Sequence, residues 1–349
     1  MKLLILTQKI DKNDDLLGFF HDWLLEFAKI CESVIVICLQ MGDYELPENV
    51  TVYSLGKEKK GGKISYLINF YKLIYVERNN YEAVFVHMNQ IYVLLGGLLW
   101  RYWEKKVGLW YTHRAVTTTL KLAEKLVDFV FTSTEKGFNV PTKKLHVLDH
   151  GISIEKFSGP SQHYDGVFRV VCIGRLSPIK NQLLLVQALE LLSNGQREHL
   201  EVLLVGGVHT QADKAYAAML RERVKLAGLE EIVKFEGSIP NMRMPELISH
   251  ADVSVNLAPL GALDKVIIES MAGGSLPIVL NQSFIPFLGE HPAMFLLEHP
   301  DPESLKQKIM MLRELDMESR LSLQAKLREA TARDFPIAKL IKNIISRYA

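Results

Sequence analysis

Cysteine is scarce: Cys31, Cys38 and Cys172 are the only three in 349 residues, and they form neither a CxxC nor an even set. That argues against a disulfide framework or a thiolate metal site and fits buried thiols in a reducing compartment. Charge of one sign is also lacking. Lys and Arg number 41 against 40 Asp and Glu, so no global field draws the chain to nucleic acid. No apolar run reaches the roughly 18 residues of a membrane-spanning helix. The first six residues are too short for a signal-peptide core and give way to a polar run at 9–15. They read as a first strand, which points to the cytoplasm and against a periplasmic solute binder. There is no repeat at a solenoid period, no metal-ligand spacing and no GxGxxG, so the dinucleotide fingerprint is missing.

What the chain does have is strand–helix alternation, twice over. Segments 2–7, 34–38, 50–55, 83–87, 107–111, 129–132 and 145–148 read as strands, with helices between most of them. After a Gly/Ser/Pro-bearing linker at 151–166, strands are expected at 168–173, 200–205, 232–235, 253–257 and 277–280. Alternation of this kind implies mostly parallel sheets with right-handed crossovers. The expected organisation is an α/β protein of two Rossmann-like domains, 1–150 and 167–334, facing across a cleft. An amphipathic last helix at 335–349 packs back on the first domain.

The chain is organised around residues 252–282. An apolar strand leads into a loop with breakers, then a helix from Asp264 to Ala272, ended by Gly273-Gly274, then another strand. A helix N-terminus after such a loop suits a diphosphate. Asp264 in the first turn could be only a capping device. Glu269, more than one turn on, either reaches a sugar hydroxyl or is a solvated helix glutamate. Arg175 and Lys180 follow the first strand of the second half, at the edge where open α/β sheets bind ligands. A guanidinium fork and an ammonium five residues apart can grip a diphosphate. His113 and Arg114 end a strand on the corresponding edge of the first half, where a histidine could meet a reacting sugar. His87 and His150 have similar positions with weaker claims.

Two helical segments of the first half are basic and apolar together. In 57–78 six basic residues face two acids, and Ile64, Leu67, Ile68, Tyr71, Ile74 and Tyr75 recur at helical spacing. In 91–106 an apolar run is followed by Arg101, Tyr102, Trp103, Lys105 and Lys106. Such faces either pack on the sheet or lie at a membrane surface.

The strings GRLSPIKN (174–181), VGG (205–207), EGSIPN (236–241) and IIESMAGGSLPIV (267–279), with VLDHGIS (147–153), together resemble glycosyltransferase family 4. The likeness is strong over 167–283 and diffuse over 1–150. It implies a GT-B fold and a retaining, metal-independent hexosyltransferase that takes a UDP- or GDP-linked sugar as substrate and needs no cofactor. On this chain it implies donor contacts by Gly18, Gly174, Arg175, Lys180, Gly207, Leu263, Lys265 and Glu269. Glu269 matches the second glutamate of the family's Glu, seven residues, Glu motif, which holds the ribose. His113 resembles the histidine near the donor sugar, and Asp264 is the second candidate for a catalytic role. The motif's first glutamate falls on Gly261, a departure that bears on donor geometry and leaves Asp264 to take a sugar-contacting or loop-ordering part.

The expected function is transfer to a hydroxyl acceptor, lipid-linked or glycan, in cell-surface polysaccharide or glycolipid synthesis, on the inner face of the membrane. The rivals are a non-catalytic nucleotide-sugar-binding partner subunit and a sugar-nucleotide epimerase of the same architecture.

Overall fold

The computed structural model describes residues 1–113, 115–157, 165–258 and 263–349. It divides into two compact units, Met1–Gly151 with Ile337–Ala349, and Ile152–Pro336. The first unit runs β1 (Lys2–Ile10), α1 (Phe20–Ile30), β2 (Ser33–Met41), β3 (Val50–Ser54), α2 (Lys63–Val76), β4 (Ala83–His87), α3 (Ile91–Tyr102), β5 (Lys106–Trp110), α4 (Thr118–Leu126), β6 (Phe129–Thr132) and β7 (Leu145–Val147). The second runs β8 (Phe168–Ile173), α5 (Gln182–Glu190), α6 (Asn194–Arg197), β9 (Leu200–Val205), α7 (Gln211–Leu226), β10 (Val233–Gly237), α8 (Met244–Ser249), β11 (Val253–Asn256), α9 (Lys265–Gly273), β12 (Leu276–Val279), α10 (Pro292–Phe295), α11 (Pro302–Arg313) and α12 (Met317–Asp334). Helix α13 (Ile337–Ile345) belongs to the first unit again.

Both sheets are parallel and doubly wound. The first has strand order β3-β2-β1-β4-β5-β6-β7 and the second β10-β9-β8-β11-β12. A parallel sheet must be covered on both faces, which is why its strands read as continuous apolar runs. β4 is buried at all five positions, whereas the edge strand β3 is only half-buried. In each sheet the order reverses beside the first strand, at β1/β4 and at β8/β11. Those switch points open crevices at the carboxyl ends of the strands.

β1 extends three residues beyond the expected strand. Lys9 and Ile10 pair with Gln40 and Met41 of β2. The ammonium of Lys9 is met by Asp14 (2.6 Å) and Asp11 (3.1 Å), which makes a polar strand end tolerable. Residues 151–166 were expected as a linker. Ile152 and Phe157 are instead buried in the core of the second unit, and 158–164 lie outside the described residues. Phe335, expected to open the last helix, packs on Phe287 in that same core at a ring distance of 4.6 Å. Helix α13 buries Ile337, Leu340, Ile341 and Ile344 against the first unit, and the Tyr348 hydroxyl donates to the Val84 carbonyl (2.9 Å). The three cysteines are free and buried, and burial pushes their thiols up to about 11 or 12.

His87, at the end of β4, stacks on Phe20 at 4.0 Å and lies 3.3 Å from Thr7 Oγ1 by its Nδ1. Burial lowers its pKa to about 3. It is a core histidine, neutral in the folded state. In the unfolded chain it protonates near 6.5, so its contribution is whole above that pH and is lost as the pH falls toward 3. The His87→Phe variant is therefore expected to unfold at lower pH than the parent. Acid titration followed by the fluorescence of Trp23, 5.8 Å from the His87 ring, reads this directly.

Candidate functional site

Chain leaving β8 winds through β9 and β10 on one side and returns to β11 on the other, so the loops after β8 and β11 flank one crevice. The loop after β8 is Gly174-Arg175-Leu176-Ser177, followed by a 3-10 turn at Pro178–Lys180. Asn181 then takes a left-handed conformation (φ 55°), which asparagine tolerates, and α5 begins. Buried Gln182 donates from Nε2 to the Arg175 carbonyl (3.0 Å) and holds the loop from beneath. Gly206, after β9, packs on the same loop. Its φ is +150° and a Cβ there would stand 2.1 Å from the Gly174 carbonyl oxygen, so only glycine lets the two loop tips approach. The Leu176 N–H donates to the Gly207 carbonyl (3.0 Å).

Lys180 crosses the crevice to Asp264 and forms an ion pair with it. Asn256, the last residue of β11, donates from Nδ2 to the same Asp264 oxygen (2.7 Å). The Asp264 carboxylate holds the Lys180 pKa above its ordinary value, against the opposing effect of burial. Asp264 stands at the N-cap position of α9 but makes no side-chain cap hydrogen bond. A capping device, left open by the sequence, is not its use; it faces Lys180 and Asn256.

Glu269 is not a solvated helix residue. It is 4% exposed and ion-paired with Lys265, one turn earlier on α9. Arg175 is the most open of the cations, with Nε 3.8 Å from Asp213. Burial works to raise Asp213, but hydrogen bonds from the Thr210 side chain and the N–H groups of Thr210 and His209, with Arg175 beyond, hold it below the usual carboxylate value. Lys180 and Asp264 thus meet between the loops after β8 and β11, Gly174, Arg175 and Gly207 lie in the loops after β8 and β9, and Lys265 and Glu269 pair on α9, with the Leu263 side chain buried in the core. Gly261 and Arg114 lie outside the described residues.

Gly18 and His113 belong to the first unit. Gly18 lies in the turns before α1, its N–H donating to the Asp14 carbonyl (3.2 Å). His113 is exposed in the loop after β5, and its Nδ1 accepts the Ala115 N–H (3.1 Å), which leaves the proton of the neutral ring on Nε2.

Sequence reasoning missed Gln182, Asn256 and Asp213. An asparagine ending an apolar strand is a usable signal for the second. The local signal of Asp213 is that of a helix capping box with Thr210, and only the fold brings α7 beside Arg175.

Two parallel doubly wound units, one with paired charges at its switch-point crevice, define a double Rossmann-like protein of the GT-B kind. Solved structures of that fold match the whole chain. Anabaena HepE, crystallised with UDP and glucose, aligns at TM-score 0.78 and 18% identity over 99% of each chain. Sucrose-phosphate synthase of Thermosynechococcus elongatus aligns at 0.76 and 15%, over 100% of this chain and 98% of that one. Residues 153–333, just over half of the chain, match the family of glycosyl transferases group 1, and the protein belongs to that family. Mannosylfructose-phosphate synthase of Agrobacterium fabrum is 26% identical over 154 residues, 41% of this chain and 34% of that protein. A Dictyostelium discoideum GDP-Man:Man(3)GlcNAc(2)-PP-Dol alpha-1,2-mannosyltransferase is 28% identical over 120 residues, 33% of this chain and 24% of that protein. The chain therefore matches about a third or less of the length of these curated relatives.

The close approach at Gly206 yields a paired prediction. Gly206→Ala should cost roughly 1–3 kcal/mol through backbone strain and the clash with Gly174. Gly195→Ala, in open space within α6, should be neutral or stabilising by up to about 1 kcal/mol. Thermal melts of the two variants against the parent distinguish them.

Proposed function

We propose that the protein is a retaining glycosyltransferase of family 4, moving a hexose from a UDP- or GDP-linked donor to a hydroxyl of a lipid-linked or glycan acceptor. The observation that carries this reading is the ion pair of Lys180 with Asp264 across the switch point of the second sheet, inside the family-matched segment. In this reading Arg175, Lys180 and the N-terminus of α9 meet the diphosphate. They stabilise its charge as it leaves, in place of a metal. Gly174 and Gly207 let the backbone approach, with Gly18 serving the phosphates from the first unit, and Glu269 takes the ribose hydroxyls. His113 and Asp264 serve the donor sugar. The bond from the anomeric carbon to the diphosphate oxygen breaks, and a bond to the acceptor oxygen forms on the same face. The acceptor proton goes to the departing phosphate oxygen. The names of relatives agree with this choice of donors: one solved neighbour was crystallised with UDP-glucose, and one curated relative is named for a GDP-linked donor and a PP-Dol-linked acceptor.

A lipid-linked acceptor is favoured by the outer surface of the first unit. Helix α2 turns Phe70 and Ile74 inward, leaving Ile64, Ile68, Tyr71 and Tyr75 as one exposed stripe. α3 lies alongside, the Tyr71 hydroxyl donating to the Leu95 carbonyl (3.2 Å), and adds Leu98 and Tyr102. Ile64, Ile68, Leu98 and Tyr102 are 61–83% exposed. Lys57, Lys59, Lys60, Lys63, Lys72, Arg78 and Arg101 lie in or beside these helices. Apolar and basic groups together suit an anionic bilayer surface, and the proposed location is the cytoplasmic face of the membrane. Among the described residues no helix is long and apolar enough to cross one.

Purified protein assayed with UDP-, GDP- and ADP-sugars, with and without lipid extract, should release nucleoside diphosphate from one donor, faster with lipid. Lys180→Ala should weaken binding of that nucleotide by tenfold or more in calorimetry while the melt stays close to the parent's. Binding without release, after an acceptor screen, would instead indicate a non-catalytic donor-binding subunit. In vesicle co-sedimentation the parent should bind phosphatidylglycerol-containing membranes and lose binding with salt. The Ile64→Glu/Ile68→Glu variant should bind weakly throughout, and equal binding by parent and variant would remove the bilayer assignment.

A further inference from the structure

Each cation assigned above to the donor already has an anion of the chain's own. Lys180 is paired with Asp264, Lys265 with Glu269, and Arg175 lies 3.8 Å from Asp213. The first pair spans the switch-point crevice itself. Its carboxylate is also held by the amide of Asn256, a residue 4% exposed at the end of β11, so the sheet fixes where that negative charge stands. A diphosphate approaching Lys180 therefore meets an ammonium already neutralised, and brings its own charge beside a carboxylate. Like charges at contact in a partly desolvated site repel by more than they would in water.

We infer that Asp264 is a built-in counter-anion that competes with the donor diphosphate for Lys180. On donor binding the ammonium exchanges a carboxylate oxygen for a phosphate oxygen, while Asp264 keeps its bond from Asn256. When the nucleoside diphosphate is the remaining product, Asp264 reclaims Lys180 and speeds its departure. Asp264 thus lowers nucleotide affinity and raises the rate of release. This role rests on the donor-site assignment, and the test separates the two.

UDP and GDP are titrated calorimetrically into the parent, Asp264→Asn, Lys180→Ala and the double variant, with release followed by stopped-flow. Asp264→Asn keeps the shape and removes the charge. It should bind the preferred nucleotide about tenfold or more tighter, mainly through slower dissociation. Asp264→Asn should tighten binding less in the Lys180→Ala background than in the parent, because there only the like-charge repulsion is relieved and no ammonium is freed. Asp264→Ser, with the same expected direction, covers a fold defect in the asparagine variant, and thermal melts check both. Equal or weaker binding by both Asp264 variants, with Lys180→Ala still impaired, would overturn the inference alone. Parent-like binding by Lys180→Ala would remove the donor-site assignment and the inference with it.

Discussion

The ion pair between Lys180 and Asp264 is the contact on which the second unit's crevice depends. It joins two segments far apart in sequence, the turn after β8 and the start of α9, across the point where the strand order reverses. The pair is partly buried, at 27% and 20% side-chain exposure. At that exposure water reaches both charges and Asp264 keeps the Asn256 amide, so the pair orders the crevice more than it stabilises the fold. The surrounding devices all serve to bring the two charges to this place. Gln182 holds the Arg175 carbonyl, Gly206 admits the Gly174 loop, and Asn256 anchors the carboxylate.

Each of the three cations expected to meet the donor faces a carboxylate, so these side chains bring little net charge. An anion-binding site usually gains from an excess of positive charge and from free backbone N–H groups. Here the side-chain charges are mutually satisfied. Ligand affinity is then set by exchange of partners rather than by simple attraction. Two of the three carboxylates, Asp264 and Glu269, come from the helix expected to meet the diphosphate or its nucleotide.

Much of the fold was legible because parallel strands covered on both faces must be apolar throughout, as in 83–87 and 168–173. The motifs of the second half marked the crevice for the same local reason: glycine, arginine and lysine fall at fixed offsets from a strand end. What was not legible depended on tertiary pairing. Asp264 looked like a helix cap because its position in sequence is that of a cap, yet its partners arrive from β8 and β11. Glu269 looked equally able to be solvated, and only tertiary packing, with α9 set among α8, α12, β11 and β12, buries it. The polar end of β1 read as loop because nothing local shows that Lys9 will find Asp11 and Asp14. Residues 152–157 read as linker because their glycine and serine neighbours outweighed two apolar side chains, which the second unit takes into its core.

The outer face of α2 presents the converse case, a sequence pattern that internal packing does not use up. A helix on a parallel sheet needs one apolar stripe, and Phe70 and Ile74, with half-buried neighbours, supply it. Ile64, Ile68, Tyr71 and Tyr75 form a second stripe on the other side, with lysines at the helix start and Arg78 just past its end. Single exposed apolar residues are ordinary, but a second stripe at helical period beside the exposed Leu98 and Tyr102 of α3 is a patch. Its energetic logic differs from that of the crevice. There, opposite charges neutralise one another within the unit, whereas here the basic residues outnumber the acids and the apolar groups face outward. An environment that is both anionic and apolar offsets the two exposures at once, which a purely aqueous surface cannot do.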